Sequence, residues 1–161
     1  MARETGTTRR IFATWVSVLG FVPKERASCG LRIMNSEQNP TAIEASTRTT
    51  IDLFNEAFNR HDSDGLAALL TEDTVFEDTS PAPDGNRIQG KSAVLAFWRA
   101  WFARNSDARF EAEDVIISGD RAVVRWVYHK IRDGRPWHLR GVDVFTVHNG
   151  KVAAKLAYVK G

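Results

Sequence analysis

The sequence predicts one α+β domain in which three helices cover a curved antiparallel sheet. Apolar residues recur at helical spacing in the first part of the chain, and after Arg109 they alternate as in strands. The pairs Asp133-Gly134 and Asn149-Gly150 then mark tight hairpin turns. Because the apolar face of a sheet must be covered, we expect the helices to pack on it and to enclose a pocket.

The first two helices follow from spacing and capping. Phe54 and Phe58 lie at helical spacing, which predicts a helix over residues 41–60. Asp62 or Ser63 can cap a short second helix rich in leucine and alanine.

The remaining elements alternate with turn signals. A strand is expected over residues 74–77, and the segment 79–90 is predicted to be a loop because it contains two prolines and two glycines. Residues 91–104 return to helical spacing with a broad aromatic face. The period-two segments predict four further strands, over residues 109–118, 121–132, 135–147 and 151–159.

Composition predicts a soluble domain and excludes several partners. The chain has 161 residues, of which 43% are hydrophobic and 26% are charged, which suits a single globular domain. Residues 1–33 carry six basic and two acidic side chains, so the rest of the chain has a net charge of −2. That balance argues against nucleic-acid binding. No apolar run is long enough to cross a bilayer, so no membrane partner is expected.

The first forty residues are predicted to be an extension that precedes a domain over residues 41–161. Residues 8–12 and the apolar run after them resemble a twin-arginine export signal, but no small-x-small cleavage site follows. A start at Met34 is the alternative, and we expect a cytoplasmic protein, with export as the other possibility. The single cysteine, Cys29, cannot form a disulfide within one chain and receives no role.

The turn at Asp133-Gly134 fixes the register of the hairpin around it. Cross-strand partners share a face, so this register predicts an aromatic concave surface with one carboxyl group, typical of a small-molecule pocket. Gly141 would leave room beside the Trp126 indole. The predicted pairs are Trp126 with Gly141, Tyr128 with Leu139, and Val124 with Asp143.

Two aspartates are the candidate catalytic residues. Asp78 and Asp143 both lie in apolar, strand-like runs, where a carboxyl group is costly unless it is compensated. Such a group is suited to take a proton or to hold one for donation. The alternatives are that Asp78 caps the loop after it and that Asp143 is a buried structural acid.

No metal or organic cofactor is expected. His129 and His138 are predicted cross-strand neighbours on the opposite face of the sheet, but no third ligand has suitable spacing. The chain contains no phosphate-binding loop, no dinucleotide-binding glycine pattern and no His-Glu-x-x-His motif.

Several stretches make the chain resemble the SnoaL-like branch of the nuclear transport factor 2-like superfamily, which includes ketosteroid isomerase. They are residues 54–62, 70–73, 75–78, 88–91, 140–145 and 149–152. The resemblance implies a cone-shaped α+β barrel whose open end admits a hydrophobic small molecule. The superfamily hosts many activities, so the resemblance says more about fold than about function.

Ketosteroid isomerase uses one aspartate to shuttle a proton, and a protonated aspartate with a tyrosine to stabilise the enolate oxygen. The resemblance implies that Asp78 occupies the position of the base and Asp143 that of the protonated donor. Phe54 occupies the tyrosine position and has no hydroxyl, and losing one such donor costs about 2.7–4 kcal/mol of transition-state stabilisation. Trp98 stands where the isomerase can have another tyrosine.

SnoaL-type polyketide cyclases are similar in fold and often place an acid on the last strand, but residues 151–159 contain none. The Asn149-Gly150 turn predicts that Leu156 and Tyr158 share the face of Asp143, with Lys155 on the other side. The usual arrangement of the family implies the reverse, so Lys155 is left out of the predicted site.

Two functions remain open from the sequence. The first is cofactor-independent proton transfer next to a carbonyl, as in an isomerase, cyclase or dehydratase, with Asp78 and Asp143 as catalytic residues. The second is a non-catalytic domain that binds a small ligand or dimerises. In either case we expect a hydrophobic small-molecule ligand and a homodimer. The predicted ligand-binding residues are Phe54, Trp98, Trp126, Tyr128 and Leu139.

Overall fold

A computed structural model describes residues 39–160. The export-like segment, Cys29 and the alternative start at Met34 lie outside the described residues. In chain order the elements are α1 (Pro40–Asn59), α2 (Ser63–Ala68), β1 (Leu70–Glu77), β2 (Arg87–Gln89), α3 (Lys91–Arg104), β3 (Arg109–Ser118), β4 (Arg121–Arg132), β5 (Arg135–His148) and β6 (Lys151–Val159).

The six strands form one curved, open sheet in the order β2-β1-β6-β5-β4-β3. All neighbouring strands are antiparallel except β1 and β6, which are parallel. The predicted α+β fold, with three helices on a curved and mostly antiparallel sheet, is confirmed. Among residues 39–160 no helix combines the length and the apolar character needed to cross a membrane.

The sequence prediction is wrong at two places, the start of β1 and the loop predicted after it. β1 begins at Leu70 rather than at residue 74, because Leu70 pairs with Val152 of the distant β6. The predicted loop contains the short strand β2, in which Ile88 pairs with Phe76. In both places the backbone partner comes from another element, so a local pattern could not indicate it.

Local capping explains where the helices begin. Asn39 accepts a hydrogen bond from the backbone N–H of Thr41, and Pro40 occupies the first turn of α1, where a missing N–H costs nothing. Asp62 caps α2 by accepting a hydrogen bond from the backbone N–H of Gly65 at 2.8 Å.

The hydrophobic core lies between the helices and the inner face of the sheet. Phe54 of α1 is fully buried, with its ring centroid 5.5 Å from that of Trp98 in α3 and 5.4 Å from that of Phe145 in β5. Each of these ring pairs is edge-to-face, an arrangement that adds about 0.5–1.5 kcal/mol beyond area burial. Aromatic packing therefore fixes α1 and α3 against the middle of the sheet.

The register predicted for the β4–β5 hairpin is confirmed. Trp126 pairs with Gly141, Tyr128 with Leu139, and Val124 with Asp143. A Cβ atom at Gly141 would overlap the Trp126 ring and the carbonyl oxygen of Tyr158, so the absence of a side chain here is what lets the indole lie against the neighbouring strand.

The register predicted for β6 from the Asn149-Gly150 turn is wrong. His148 pairs with Lys151 across the turn, as expected, but the register shifts by one residue between Thr146 and Val147. Beyond this bulge Asp143 pairs with Ala157.

The bulge exchanges the two faces of β6 from this point onward. Because side chains alternate along a strand, Lys155 lies on the same face as Asp143, and Tyr158 lies on the opposite face. Lys155 is buried, at 8% exposed, whereas Tyr158 is 51% exposed.

Candidate functional site

An aromatic cavity of about 140 Å³ lies between the helices and the inner face of the sheet. It is lined by side chains from α1, α3 and five of the six strands, or from the residues next to them. Six of the seven residues proposed from the sequence line it: Asp78, Trp98, Trp126, Tyr128, Leu139 and Asp143. The seventh, Phe54, lines a neighbouring cavity of about 70 Å³. Five residues are common to the two cavities: Phe58, Phe110, Trp126, Asp143 and Lys155.

Asp78 lies at the end of β1, where the chain leaves the sheet. Its Oδ1 accepts a hydrogen bond from the backbone N–H of Thr79 at 2.8 Å, and its own backbone N–H donates to the carbonyl of Asn86. The side chain is half-buried and lines the cavity. Asp78 thus stabilises the turn, as the alternative interpretation expected, and also presents a carboxyl group to the cavity.

Asp143 forms a buried ion pair with Lys155. The Lys155 Nζ lies 2.8 Å from Asp143 Oδ2, and the side chains are 11% and 8% exposed. In every other ion pair of residues 39–160 at least one partner is exposed. Removing both charges from water is costly, so each charge depends on the other for compensation.

Two aromatic rings complete the surroundings of the Lys155 ammonium. Its Nζ lies 5.2 Å from the centroid of the Phe76 ring and 5.7 Å from that of Phe145. Both distances are within the range of cation–π attraction. The ammonium is therefore held by one carboxylate and by two ring faces.

Three buried polar atoms of cavity residues have no hydrogen-bond partner among residues 39–160. They are Nε1 of Trp98, Nε1 of Trp126 and Oδ1 of Asp143. Leaving such a group unpaired costs about 1–3 kcal/mol, and buried polar atoms in folded proteins are usually satisfied. All three atoms belong to residues that line the cavity, and the atoms themselves are enclosed by the protein, so a ligand in the cavity would lie next to them.

Tyr128 adds a phenol to the cavity wall. Burial raises the pKa of the Tyr128 hydroxyl above its ordinary value, and the negative charge of Asp107 raises this pKa further. The hydroxyl makes one long hydrogen bond, 3.5 Å, to Asn105 Oδ1. Tyr128 is therefore a neutral hydroxyl at the pH of the cell.

The opposite face of the sheet carries charged side chains. His129 and His138 are cross-strand partners, as predicted, and His129 Nε2 lies 3.1 Å from Glu111 Oε2. No group of three metal-binding side chains occurs among residues 39–160. Arg140 also pairs with Glu113 on this face, and its hydrogen bond is the main reason that the pKa of Glu113 is lowered.

Lys155 is the charged cavity residue that reasoning from strand pattern and turn length missed, and the cavity wall also includes aromatic residues outside the predicted set, such as Phe97 and Trp101. The Asn149-Gly150 turn predicted that Lys155 lies on the outer face of the sheet, because a two-residue loop without a bulge would place its side chain there. The only signal that indicated the inner face was the usual arrangement of the family.

A family profile matches most of this fold. The profile described as the SnoaL-like domain aligns with residues 51–155, which include at least part of every element that contributes to the cavity. The chain belongs to the SnoaL-like domain family. A comparison of this SnoaL-like domain with curated proteins gave no match.

Solved structures support the same assignment. A protein of unknown function from Mesorhizobium loti, described as like nuclear transport factor 2, is 36% identical to this SnoaL-like domain, with a TM-score of 0.65. The alignment covers 73% of this chain and 93% of that chain.

Two more distant structures show the fold alone. One, from Kribbella flavida and provisionally assigned as a ketosteroid isomerase, is 22% identical over 73% of this chain and 80% of its own, with a TM-score of 0.63. The other is from Jannaschia sp. and is provisionally assigned as a SnoaL-like polyketide cyclase. It is 18% identical over 76% of this chain and 91% of its own, with a TM-score of 0.65.

Proposed function

We propose that the protein binds a small, mainly apolar carbonyl compound in the aromatic cavity and catalyses proton transfer at the carbon next to the carbonyl. The observation that carries this proposal is that Asp78 lines the same cavity as the Asp143–Lys155 pair. A base and a positively charged donor in one largely apolar space are the two groups that enolate formation needs.

Asp78 is the base in this proposal. One of its carboxylate oxygens, Oδ1, is engaged by the backbone of Thr79, and among residues 39–160 no hydrogen bond engages Oδ2. A half-buried carboxylate with one oxygen held and one available is positioned to take a proton from a ligand and return it.

In this proposal, groups next to Asp143, rather than Asp143 itself, donate hydrogen bonds to the enolate oxygen. The sequence predicted a protonated Asp143 that donates to the enolate oxygen. With the Lys155 ammonium 2.8 Å away, Asp143 instead serves as the carboxylate partner of an ion pair. Lys155 and the unpaired indole N–H groups of Trp98 and Trp126 are the groups suited to stabilise the developing oxyanion.

A non-catalytic binding domain is the second candidate function. Phe54 favours it, because this residue stands where the resemblance to ketosteroid isomerase implies a tyrosine, and it is buried in a cluster of aromatic rings. The homodimer and the cytoplasmic location expected from the sequence stay predictions.

Replacing Asp78 by asparagine tests the catalytic proposal. We expect Asp78→Asn to slow the conversion of 3-cyclohexenone to 2-cyclohexenone by about 100-fold or more, since general base catalysis contributes 10²–10⁴-fold. The conversion is followed by ultraviolet absorbance, and exchange of the α-protons in D₂O is followed by NMR.

Asp84→Asn is the matched control. Asp84 lies in the same loop but is exposed and does not line the cavity, so its variant is expected to keep the parent rate. Equal rates for Asp78→Asn and the parent would remove Asp78 from the mechanism. A parent protein that neither converts the probe nor exchanges its protons would favour the binding function.

A further inference from the structure

The unpaired atoms around the cavity define what a ligand must offer. The two indole N–H groups of Trp98 and Trp126 can only donate hydrogen bonds, and Asp143 Oδ1, as a carboxylate oxygen, can only accept one. The three residues are 2%, 5% and 6% exposed, and the three atoms are enclosed by the protein, so a ligand contacts them once these side chains shift slightly. A complementary ligand therefore carries at least one acceptor and at least one donor.

The volume of the cavity limits the size of that ligand. At about 140 Å³ it is close to the roughly 150 Å³ of an engineered apolar cavity that binds benzene. Sites for drug-sized ligands are larger, about 300–1,000 Å³. One six-membered ring fills this volume, and a second fused ring has to extend through the open side of the cavity or displace its walls.

The walls favour a flat ring. Phe76, Phe97, Trp98 and Trp101 contribute aromatic surfaces to the cavity from β1 and α3, and Tyr128 contributes another from β4. Aromatic side chains pack well against planar, unsaturated molecules in stacked or edge-to-face geometry. A conjugated or aromatic ring is therefore matched to this lining.

We propose that the ligand is a single-ring, unsaturated carbonyl compound that also carries a hydroxyl group. The carbonyl oxygen accepts a hydrogen bond from an indole N–H, and the hydroxyl donates to Asp143 Oδ1. The inference rests on the proposed function, because it takes this cavity as the site where the carbonyl substrate binds. It adds the ring size and the required hydroxyl.

Calorimetric binding of a matched probe series tests the inference. The probes are 2-, 3- and 4-hydroxyacetophenone, with acetophenone lacking the hydroxyl, phenol lacking the carbonyl, and 1-hydroxy-2-acetonaphthone adding a second ring. We expect the best hydroxyacetophenone isomer to bind at least about tenfold more tightly than acetophenone, because it gains a hydrogen bond to a charged group. Its affinity should exceed that of phenol by about fivefold and that of the two-ring ketone by about tenfold.

A tryptophan variant tests which atoms the ligand contacts. Trp126→Phe keeps a ring but removes one unpaired donor, so we expect hydroxyacetophenone affinity to fall about fivefold. Trp137→Phe is the matched control, because it also removes an indole N–H but lies outside the cavity. In ¹H–¹⁵N spectra the Trp126 indole resonance, identified by its loss in the variant, should shift when the hydroxyacetophenone binds.

The outcomes separate this inference from the proposed function. Tight binding without α-proton exchange supports the ligand class and counts against catalysis. Exchange on a multi-ring ketone, together with no binding of any single-ring probe, overturns the ligand class and leaves catalysis standing. Equal affinity for acetophenone and all its hydroxyl isomers, or an affinity that is unchanged in both Trp98→Phe and Trp126→Phe, also overturns the inference.

Discussion

The Asp143–Lys155 pair places two charges among aromatic rings, where neither can rely on water. Its geometry is good, with 2.8 Å between Nζ and Oδ2, yet Oδ1 of the same carboxylate is unsatisfied. A buried pair of this kind is often no more stabilising than apolar residues of similar size. Stability alone therefore does not explain why the pair is present.

Removing one partner of the pair should destabilise the protein strongly. We expect Lys155→Met to lower the free energy of unfolding by about 3–5 kcal/mol, because it leaves a buried carboxylate without compensation. The double variant Asp143→Leu with Lys155→Met should recover most of this loss. Urea denaturation followed by circular dichroism measures each value.

A surface pair supplies the comparison. Arg48 and Asp52 form an exposed ion pair one helical turn apart in α1, so Arg48→Met should change the free energy of unfolding by no more than about 0.5 kcal/mol. If the double variant at Asp143 and Lys155 lost as much stability as the two single variants combined, the two charges would not be coupled.

Tyr128 predicts a dependence of stability on alkaline pH. Its pKa is raised in the folded protein, first by burial and then by Asp107, from an ordinary value of 10.0. Above about pH 10 the unfolded chain therefore releases this proton before the folded protein does, and the free energy of unfolding falls as the pH rises.

The measurement compares the parent with Tyr128→Phe. The stability of the variant should decline less steeply between about pH 10 and pH 11, because the variant lacks the titrating group. The phenol makes only one long hydrogen bond, so its removal should cost little at neutral pH. Parallel pH curves for the two proteins would show that Tyr128 titrates normally.

Among the elements, the β4–β5 hairpin and the β5–β6 hairpin differ in how well the sequence predicts them. Asp133-Gly134 joins β4 to β5 without a bulge, so the turn alone gives the register. Asn149-Gly150 also joins its strands with two residues, but the shift near Thr146 changes every pairing beyond it. A bulge depends on packing against other elements, and for that reason the face of Lys155 did not follow from the turn.

Gly141 supports the cavity through this hairpin. We expect Gly141→Ala to lower the free energy of unfolding by about 3 kcal/mol and to weaken ligand binding, because the new methyl group overlaps the Trp126 ring and the Tyr158 carbonyl. Thermal denaturation and the Trp126 indole resonance measure the two effects.

Gly134→Ala provides the control within the same hairpin. Nothing lies within 4 Å of a Cβ atom at Gly134, and its φ of +74° alone should cost about 1–2 kcal/mol. Ligand binding to the Gly134→Ala variant should be unaffected. Because Gly141 has no positive φ, the absence of any loss in Gly141→Ala would mean that the close approach relaxes at no cost.

At the scale of the whole molecule, the sequence predicted the fold far better than the site chemistry. Periodicity and turn pairs are local signals, and they located α3 and the β4–β5 hairpin. The parallel pairing of β1 with β6 and the contact of Lys155 with Asp143 depend on residues far apart in the chain. Only the family resemblance carried information about such contacts.

The core predicts that the described domain is independently stable. Among residues 39–160, the main buried cluster consists of fifteen residues, which lie between Ile51 and Val152. We expect removal of residues 1–38 to change the midpoint of thermal unfolding by less than about 4 °C, equivalent to about 1 kcal/mol for a domain of this size. A larger drop, measured by calorimetry at equal concentration, would show that the first 38 residues stabilise the fold.

The position of β6 has a consequence for how the protein is made. The last strand lies between β1 and β5, in the interior of the sheet, so the early strands β1 and β2 cannot join the rest until it is in place. Pairings so distant along the chain form slowly. During synthesis on the ribosome, the aromatic cavity therefore cannot form until residues 151–159 have been made, and a nascent chain stalled before Lys151 would expose the unpaired backbone edge of β5.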